Sequence, residues 1–299
     1  MSVVSFTTDY GLADGFVAAC HGVILCAAPD ARIIDVTHLV PPGDVRRAAT
    51  VLAQTVGSLP RGVHLAVVDP GVGTSRRAVA LRAAGGDLVG PDNGLLIDAA
   101  ERLGGIRTAV SLPVPAGTPA TFHGRDVFAP AAARLARGDE PAALGPPLDP
   151  ATLVRLPGPY VHRRPDGALE TEVVLVDIFG NVQLAASAAH LGEVGLSPPA
   201  RALLSPAGST GVANTGPQPP AVDRAPAGGL RGAGGLPRSG GLPSAGIEIA
   251  VGVTFASVAP GEPLLYADAA GMAALAVRDG DAAAALGLAP GDRLALQRA

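Results

Sequence analysis

"VHLAVVDPGVGTSRRAV", residues 63–79, decides how the chain is read. Its first part is apolar without alternation, as expected of a strand covered on both faces. The run ends on Asp69, turns through Pro70 and two glycines, and returns with the paired arginines Arg76 and Arg77. Ligands of open α/β sheets bind beyond the carboxyl ends of the strands. An acid in that place is therefore a candidate site residue as well as a turn former.

Working outward, the first half alternates short β-rich runs with helical patterns. "VVSFTT" reads as a strand ending at Asp9, and residues 14–27 follow at helical spacing with Asp14 as N-cap. "ARIIDVTH" is a second strand, and a helix begins near Asp44 with Val45, Ala48, Leu52, Val56 and Leu59 along one face. This alternation predicts an N-terminal α/β domain over 1–155 with a mostly parallel sheet. The second half carries short β-like runs, "ETEVVLVDIFGNVQL", "GIEIAVGVTFA", "EPLLYADA" and "GMAALAVRD", then a helix "DAAAALGLA" and a last strand "DRLALQR". Such spacing predicts a smaller C-terminal β-barrel domain over 168–299. Residues 205–246 hold 11 Gly and 7 Pro in 42 positions and repeat "GGL", so they read as a flexible insertion.

Composition narrows the function. A net charge of −4 and a pI near 5.8 argue against nucleic acid as partner. No apolar run reaches the roughly 18 residues of a membrane span. The start "MSVVSFTTDY" lacks the basic region of a signal peptide, so a cytoplasmic location is expected. Cys20 and Cys26, in "CHGVILC", lack metal-ligand spacing and read as core thiols; no metal site is expected. All 22 basic residues are Arg, which excludes a Schiff-base or P-loop lysine within this chain.

Three further places carry polar chemistry. Asp9 ends a strand as Asp69 does; His123 lies in "TFHGRDVFAP" before a helix that begins near Asp126; Asp92 and Asn93 form a polar turn in "GPDNGLL". "DPGVGTSRR" lacks GK[ST] and begins with an anion, so it is no phosphate loop. Carboxylates at strand ends suit hydroxyl groups, such as a ribose diol, or a cation.

"TTDYG", "DVTH", "VVDPGVGTSRR", "GPDNGLL", "TFHGRD" and "DIFGN" occur in the order and approximate spacing of the S-adenosyl-L-methionine (SAM) hydroxide adenosyltransferases, relatives of the fluorinase and chlorinase enzymes. The chain resembles that family closely over 3–190 and loosely over 247–299. The resemblance implies hydrolysis of SAM to adenosine and methionine, with no cofactor besides the substrate. It implies a homotrimer whose active sites lie between the N-terminal domain of one subunit and the C-terminal domain of the next. It also implies a catalytic triad of Asp69, Arg76 and His123, with Arg76 paired to Asp69. Asp9 would hold the ribose hydroxyls, Asp177, Phe179 and Asn181 of "DIFGN" would contact the ligand with Asn93, and Phe255 would stack on adenine. In this scheme the guanidinium keeps Asp69 ionised and weakens it as a base. His123, of a type that ordinarily titrates near 6.5, is then the better proton acceptor.

The chain departs from that family at Gln183 and Leu184 after "FGN", at Ala269 and Ala270 in "YADAAGM", and at Gly43. These positions bear on affinity for SAM. Two alternatives stand beside hydrolysis: a SAM or adenosine binder without turnover, and a SAM-dependent 5′-halogenase. An acid at 69 and an imidazole at 123 disfavour a halide ion.

Overall fold

A computed structural model of the chain describes residues 2–207, 242–243 and 245–299. The chain divides into two compact units, Met1–Pro157 and Gly158–Ala299. The insertion read at 205–246 lies almost wholly outside the described residues; Ser205 and Pro206, assigned to it from sequence, instead pair with Ala295 and Leu294 in a strand.

The first unit is built on a seven-stranded sheet: β1 (Val3–Thr8), β2 (Arg32–Thr37), β3 (Val63–Val67), β4 (Ala78–Ala83), β5 (Asp87–Pro91), β6 (Ile106–Leu112) and β7 (Pro147–Leu148). Their order is β2-β1-β3-β5-β4-β6-β7. β2, β1, β3 and β5 are parallel neighbours, whereas β4, β6 and β7 join by antiparallel pairing. Five strands, β6 included, therefore share one direction. The helices are α1 (Phe16–Ala27), α2 (Val45–Val56), α3 (Ile97–Arg102) and α4 (Ala129–Ala136), the last entered through a wide π turn at Gly124–Phe128.

The unbroken apolar pattern of β3 has a direct cause. Val63, Leu65 and Val67 pack with α1 and α4, while Ala66 and the following Val68 belong to the opposite core with α2 and α3. Asp44 caps α2 as expected, its carboxylate accepting the Arg47 amide at 2.9 Å, and Ala48, Leu52 and Val56 are buried. Asp14 does not cap α1: the helix starts one residue later than a cap there requires, behind Gly15 and without a side-chain cap. Of the two cysteines, only Cys20 is a core thiol, pushed up to about 12 by burial; Cys26 is exposed.

The second unit contains β8 (Val161–Arg163), β9 (Leu169–Val176), β10 (Val182–Ser187), β11 (Ala200–Pro206), β12 (Ile247–Val251), β13 (Pro263–Ala267), β14 (Met272–Val277) and β15 (Arg293–Arg298), with α5 (Ala188–Glu193) and α6 (Ala282–Leu286). Seven strands, β9 to β15, close on themselves because β10 pairs with both β14 and β9; β8 adds to the outside of β9. Closure removes unpaired edges, and side chains such as Leu184, Leu204, Leu265, Leu275 and Leu296 fill the interior. This is the expected barrel. Among the described residues no helix is long and apolar enough to cross a membrane.

Candidate active site

β1 and β3 are parallel neighbours, with Thr8 opposite Val67. Their acids, Asp9 and Asp69, therefore emerge at the same edge of the sheet. Together with Tyr10, Gly43, Val72, Phe122 and His123 they line a cleft of about 230 Å³.

Two glycines shape this edge. Gly43 has φ +74°, a conformation open to residues without a Cβ, and its amide donates to Asp9 Oδ2 at 2.8 Å. Gly73 has φ +76°, and a Cβ there would stand 2.6 Å from the Ala120 carbonyl. That close approach presses the loop after Asp69 against the segment leading to His123.

The turn returns Arg76 onto Asp69. Arg76 Nε donates to Asp69 Oδ1 at 3.0 Å, and Nη2 donates to Oδ2, a two-pronged pairing. Nη2 also lies 3.2 Å from His123 Nδ1. A guanidinium only donates, so Nδ1 must accept, and the neutral ring then carries its proton on Nε2. The guanidinium carbon lies 5.3 Å from the centre of the Phe128 ring. Asp69 and Arg76 side chains are 6% and 8% exposed, and His123 is 5% exposed. Sequence reasoning on Asp69 is corrected in one respect. Burial raises its carboxyl above the ordinary value, outweighing the lowering by Arg76, His123 and the Gly71 amide. The carboxylate is thus a stronger base than a solvated one. Arg77 faces away, donating from Nε to Asp92 Oδ2 at 2.7 Å.

The remaining candidates fall elsewhere. Asn93 is not in the cleft lining; its Nδ2 donates to the Val68 carbonyl at 2.9 Å and its Oδ1 accepts the Leu95 amide at 3.2 Å. It braces the backbone just before Asp69. Asp177, Phe179, Asn181 and Phe255 belong to the barrel unit. There Asp177 Oδ1 accepts the amides of Phe179 and Asn181, each at 2.9 Å, and Oδ2 accepts Asn181 Nδ2 at 2.8 Å. This tight turn projects Ile178 and Phe179 into solvent, 90% and 71% exposed. Phe255 is half exposed, edge-on to Tyr266 at 5.3 Å. The departures at 183 and 184 are barrel positions: Gln183 bonds to Asp268 and Leu184 is fully buried. In the 268–272 turn the Ala270 and Met272 amides are committed to Asp268 Oδ1.

Sequence reasoning passed over an aromatic wall. Tyr10, Phe16 and Phe122 pack mutually with centroids 5.3–6.1 Å apart. A Cβ on Gly124 would stand 1.9 Å from the Tyr10 hydroxyl, so this glycine makes room for it. Burial raises the Tyr10 phenol, which stays protonated. The available signal was the rarity of aromatics, 3% of the chain, beside two that directly adjoin Asp9 and His123.

A buried carboxylate, guanidinium and imidazole gathered at the open end of a parallel sheet define an enzyme of small-molecule chemistry. Comparison with known proteins gives that class a family. The N-terminal domain of the SAM hydroxide adenosyltransferases matches residues 4–145 and its C-terminal domain residues 241–295. The chain belongs to the SAM hydroxide adenosyltransferase family. It is 53% identical to a Salinispora tropica protein named (R)-S-adenosyl-L-methionine hydrolase, over 97% of this chain and 96% of that protein. A fluorinase of Actinopolyspora mzabensis is 28% identical over 60% of this chain and 70% of its own. The crystal structure of an uncharacterized conserved protein from Thermotoga maritima superposes with a TM-score of 0.81 at 29% identity, covering 99% of this chain and all of that one.

Proposed function

We propose that the protein hydrolyses SAM to adenosine and L-methionine. Water attacks ribose C5′ in line; the C5′–O bond forms as the C5′–S bond breaks, and its electron pair neutralises the sulfonium. Charge is destroyed in this step, so a site that excludes water favours it. The observation that carries the reading is the buried cluster at the cleft, Asp69 and His123 bridged by Arg76.

The geometry supports a division of labour that differs from the sequence expectation. Nδ1 of His123 is engaged by Arg76, and its Nε2–H is a donor that orients the attacking oxygen. Asp69, made more basic by burial, accepts the proton that water loses. Arg76 does not line the cleft and acts by holding both partners in place. Asp9, with one oxygen already held by Gly43, offers the other to the ribose diol. SAM is the substrate and no cofactor takes part.

The functional form is a cytoplasmic homotrimer, with Phe255 and the 177–181 turn of one subunit completing the site of its neighbour. Large exposed apolar side chains on each unit, Leu12 and Leu39 on one, Ile178, Phe179 and Val253 on the other, support burial by assembly.

The test is a product assay by mass spectrometry with SAM, ¹⁸O-enriched water and chloride. The expected products are adenosine labelled at its 5′ oxygen and equimolar methionine. Unchanged SAM despite binding would establish a degenerate binder, and 5′-chloroadenosine would overturn the roles given to Asp69 and His123.

A further inference from the structure

Outside the cleft, three side chains of metal-ligating type meet, one from a helix and two, three residues apart, from a strand and the turn after it. His21 comes from α1, Asp35 from β2, and His38 from the turn just after β2. Their ligand atoms all lie within 4.8 Å of one another. His21 Nε2 is hydrogen-bonded to Asp35 Oδ1 at 2.9 Å, whereas His38 Nε2 stands 3.0 Å from that same oxygen without such a bond. None of the three lines the catalytic cleft.

We propose that His21, Asp35 and His38 bind one borderline divalent cation of the Zn²⁺ class. The spacing fits: donor atoms bound to zinc at ~2.0–2.2 Å stand roughly 3.0–3.5 Å apart. Orientation fits as well. His38 is 4% exposed, and among the described residues its buried Nε2 has no hydrogen-bond partner even though Asp35 Oδ1 is 3.0 Å away. The nitrogen is near the oxygen without pointing its N–H at it. Two donors bound to one ion are related in this way, each directed at the shared centre rather than at the other. A buried imidazole nitrogen lacking any partner is otherwise unfavourable.

The surroundings hold the rings as ligands. His38 Nδ1 lies 2.8 Å from Thr8 Oγ1; with the proton on Nδ1 donated to that hydroxyl, the tautomer is fixed and the Nε2 lone pair is free for the ion. The rings of His38 and His21 pack against Phe6, with centroids at 4.9 and 5.8 Å. The other side is open: the Asp35 and His21 side chains are 44% and 27% exposed, leaving room for water as a fourth ligand. Two nitrogens and one oxygen suit zinc and its first-row neighbours, not the all-oxygen preference of Mg²⁺ or Ca²⁺. The bound ion would pin α1 to β2 beside the start of the catalytic edge.

The experiment is calorimetric titration of the tag-free, chelator-stripped chain with Zn²⁺, followed by absorption spectroscopy with Co²⁺. One ion per chain is expected, with visible ligand-field bands from Co²⁺ and a rise in unfolding temperature on Zn²⁺ addition. Asp35→Asn and His21→Gln, both at partly exposed positions, should each weaken binding about tenfold or more and abolish the thermal shift. Circular dichroism of these variants confirms that they fold. No saturable uptake, equal affinity in the two variants, or equally tight Mg²⁺ binding would each overturn the proposal.

Discussion

Asp69 and Asp177 stand in the same place in two unlike sheets. Each follows the last residues of a strand, and each opens a turn containing glycine. Asp177 spends its oxygens inside its own turn, on two amides and the Asn181 side chain within four residues. Asp69 meets a side-chain cation from the loop leading into the next strand, which in turn reaches an imidazole 47 residues further on. An acid at a strand end becomes reactive when long-range partners, rather than the local backbone, occupy it. The first kind of acid is buried and made more basic; the second folds a loop.

That contrast is broken or sharpened first by paired substitutions. Asp69→Asn removes the base, and kcat should fall by roughly 10²–10⁴-fold; it also leaves the buried Arg76 guanidinium without its counter-charge, so the unfolding midpoint should fall too. Asp177→Asn should leave kcat within a few-fold, raise KM by loosening the 177–181 turn, and lower stability by about 1 kcal/mol through the loss of one turn hydrogen bond. Steady-state kinetics and urea titration on both variants measure this; equal losses of kcat would end the distinction. The pH profile sharpens it. A carboxyl raised by burial loses activity as pH falls through its raised value. Arg76→Met removes a charge that favours the ionised form, so this acid limb should move to higher pH.

How much of this was legible follows the same division. β1, β3 and α2 announce themselves because their signals are local: an apolar run closed by an acid, and a capped helix with one buried face. The antiparallel half of the first sheet was not legible. β4 is buried along nearly its whole length, so it lacks the alternation that separates an antiparallel strand from a parallel one. The strand-end positions of Asp9 and Asp69 were readable, and so was the return of Arg76. Which hydrogen bonds each polar group would make was not, because Asn93 binding the Val68 carbonyl and Arg76 reaching His123 depend on loops meeting in space. His21 and Asp35 are 14 residues apart on different elements, a spacing that matches no ligand motif.

The opposite end of β3 supplies a second comparison. His64 is 1% exposed, bonded through Nδ1 to Ser5 Oγ at 2.8 Å, with Nε2 lacking a partner. Burial lowers its pKa from 6.5 to about 4. Here, among the described residues, no counter-charge touches the buried group; Asp87 favours its charged form, but burial outweighs this, and it serves the fold only while neutral. The unfolded chain binds this proton more readily than the native one between pH 6.5 and about 4, so stability should drop as pH falls through that window. The whole loss attributable to His64 is on the order of 3 kcal/mol. Urea midpoints measured from pH 7 to pH 4 should show this slope, and His64→Gln should remove its share. An unchanged slope in the variant would place the acid sensitivity elsewhere.

Two glycines give the smallest contrast, between a turn that is only conformationally special and one that is also crowded. Gly180 has φ +83°, and a Cβ there would stand 2.3 Å from Asp281. Gly180→Ala therefore adds a collision to the backbone strain, and its cost should exceed the roughly 1–2 kcal/mol of the left-handed conformation alone. Gly43 has φ +74°, but its Cβ would meet Pro70 at an ordinary 3.9 Å. Gly43→Ala should lower stability by only about 1 kcal/mol. Its larger signature should be kinetic: relaxing φ turns the amide away from Asp9 Oδ2 and frees the carboxylate that holds the ribose, raising KM while kcat stays near its original value. A fall in kcat with KM unchanged would instead tie Gly43 to the placement of Asp69, through Pro70 at its side.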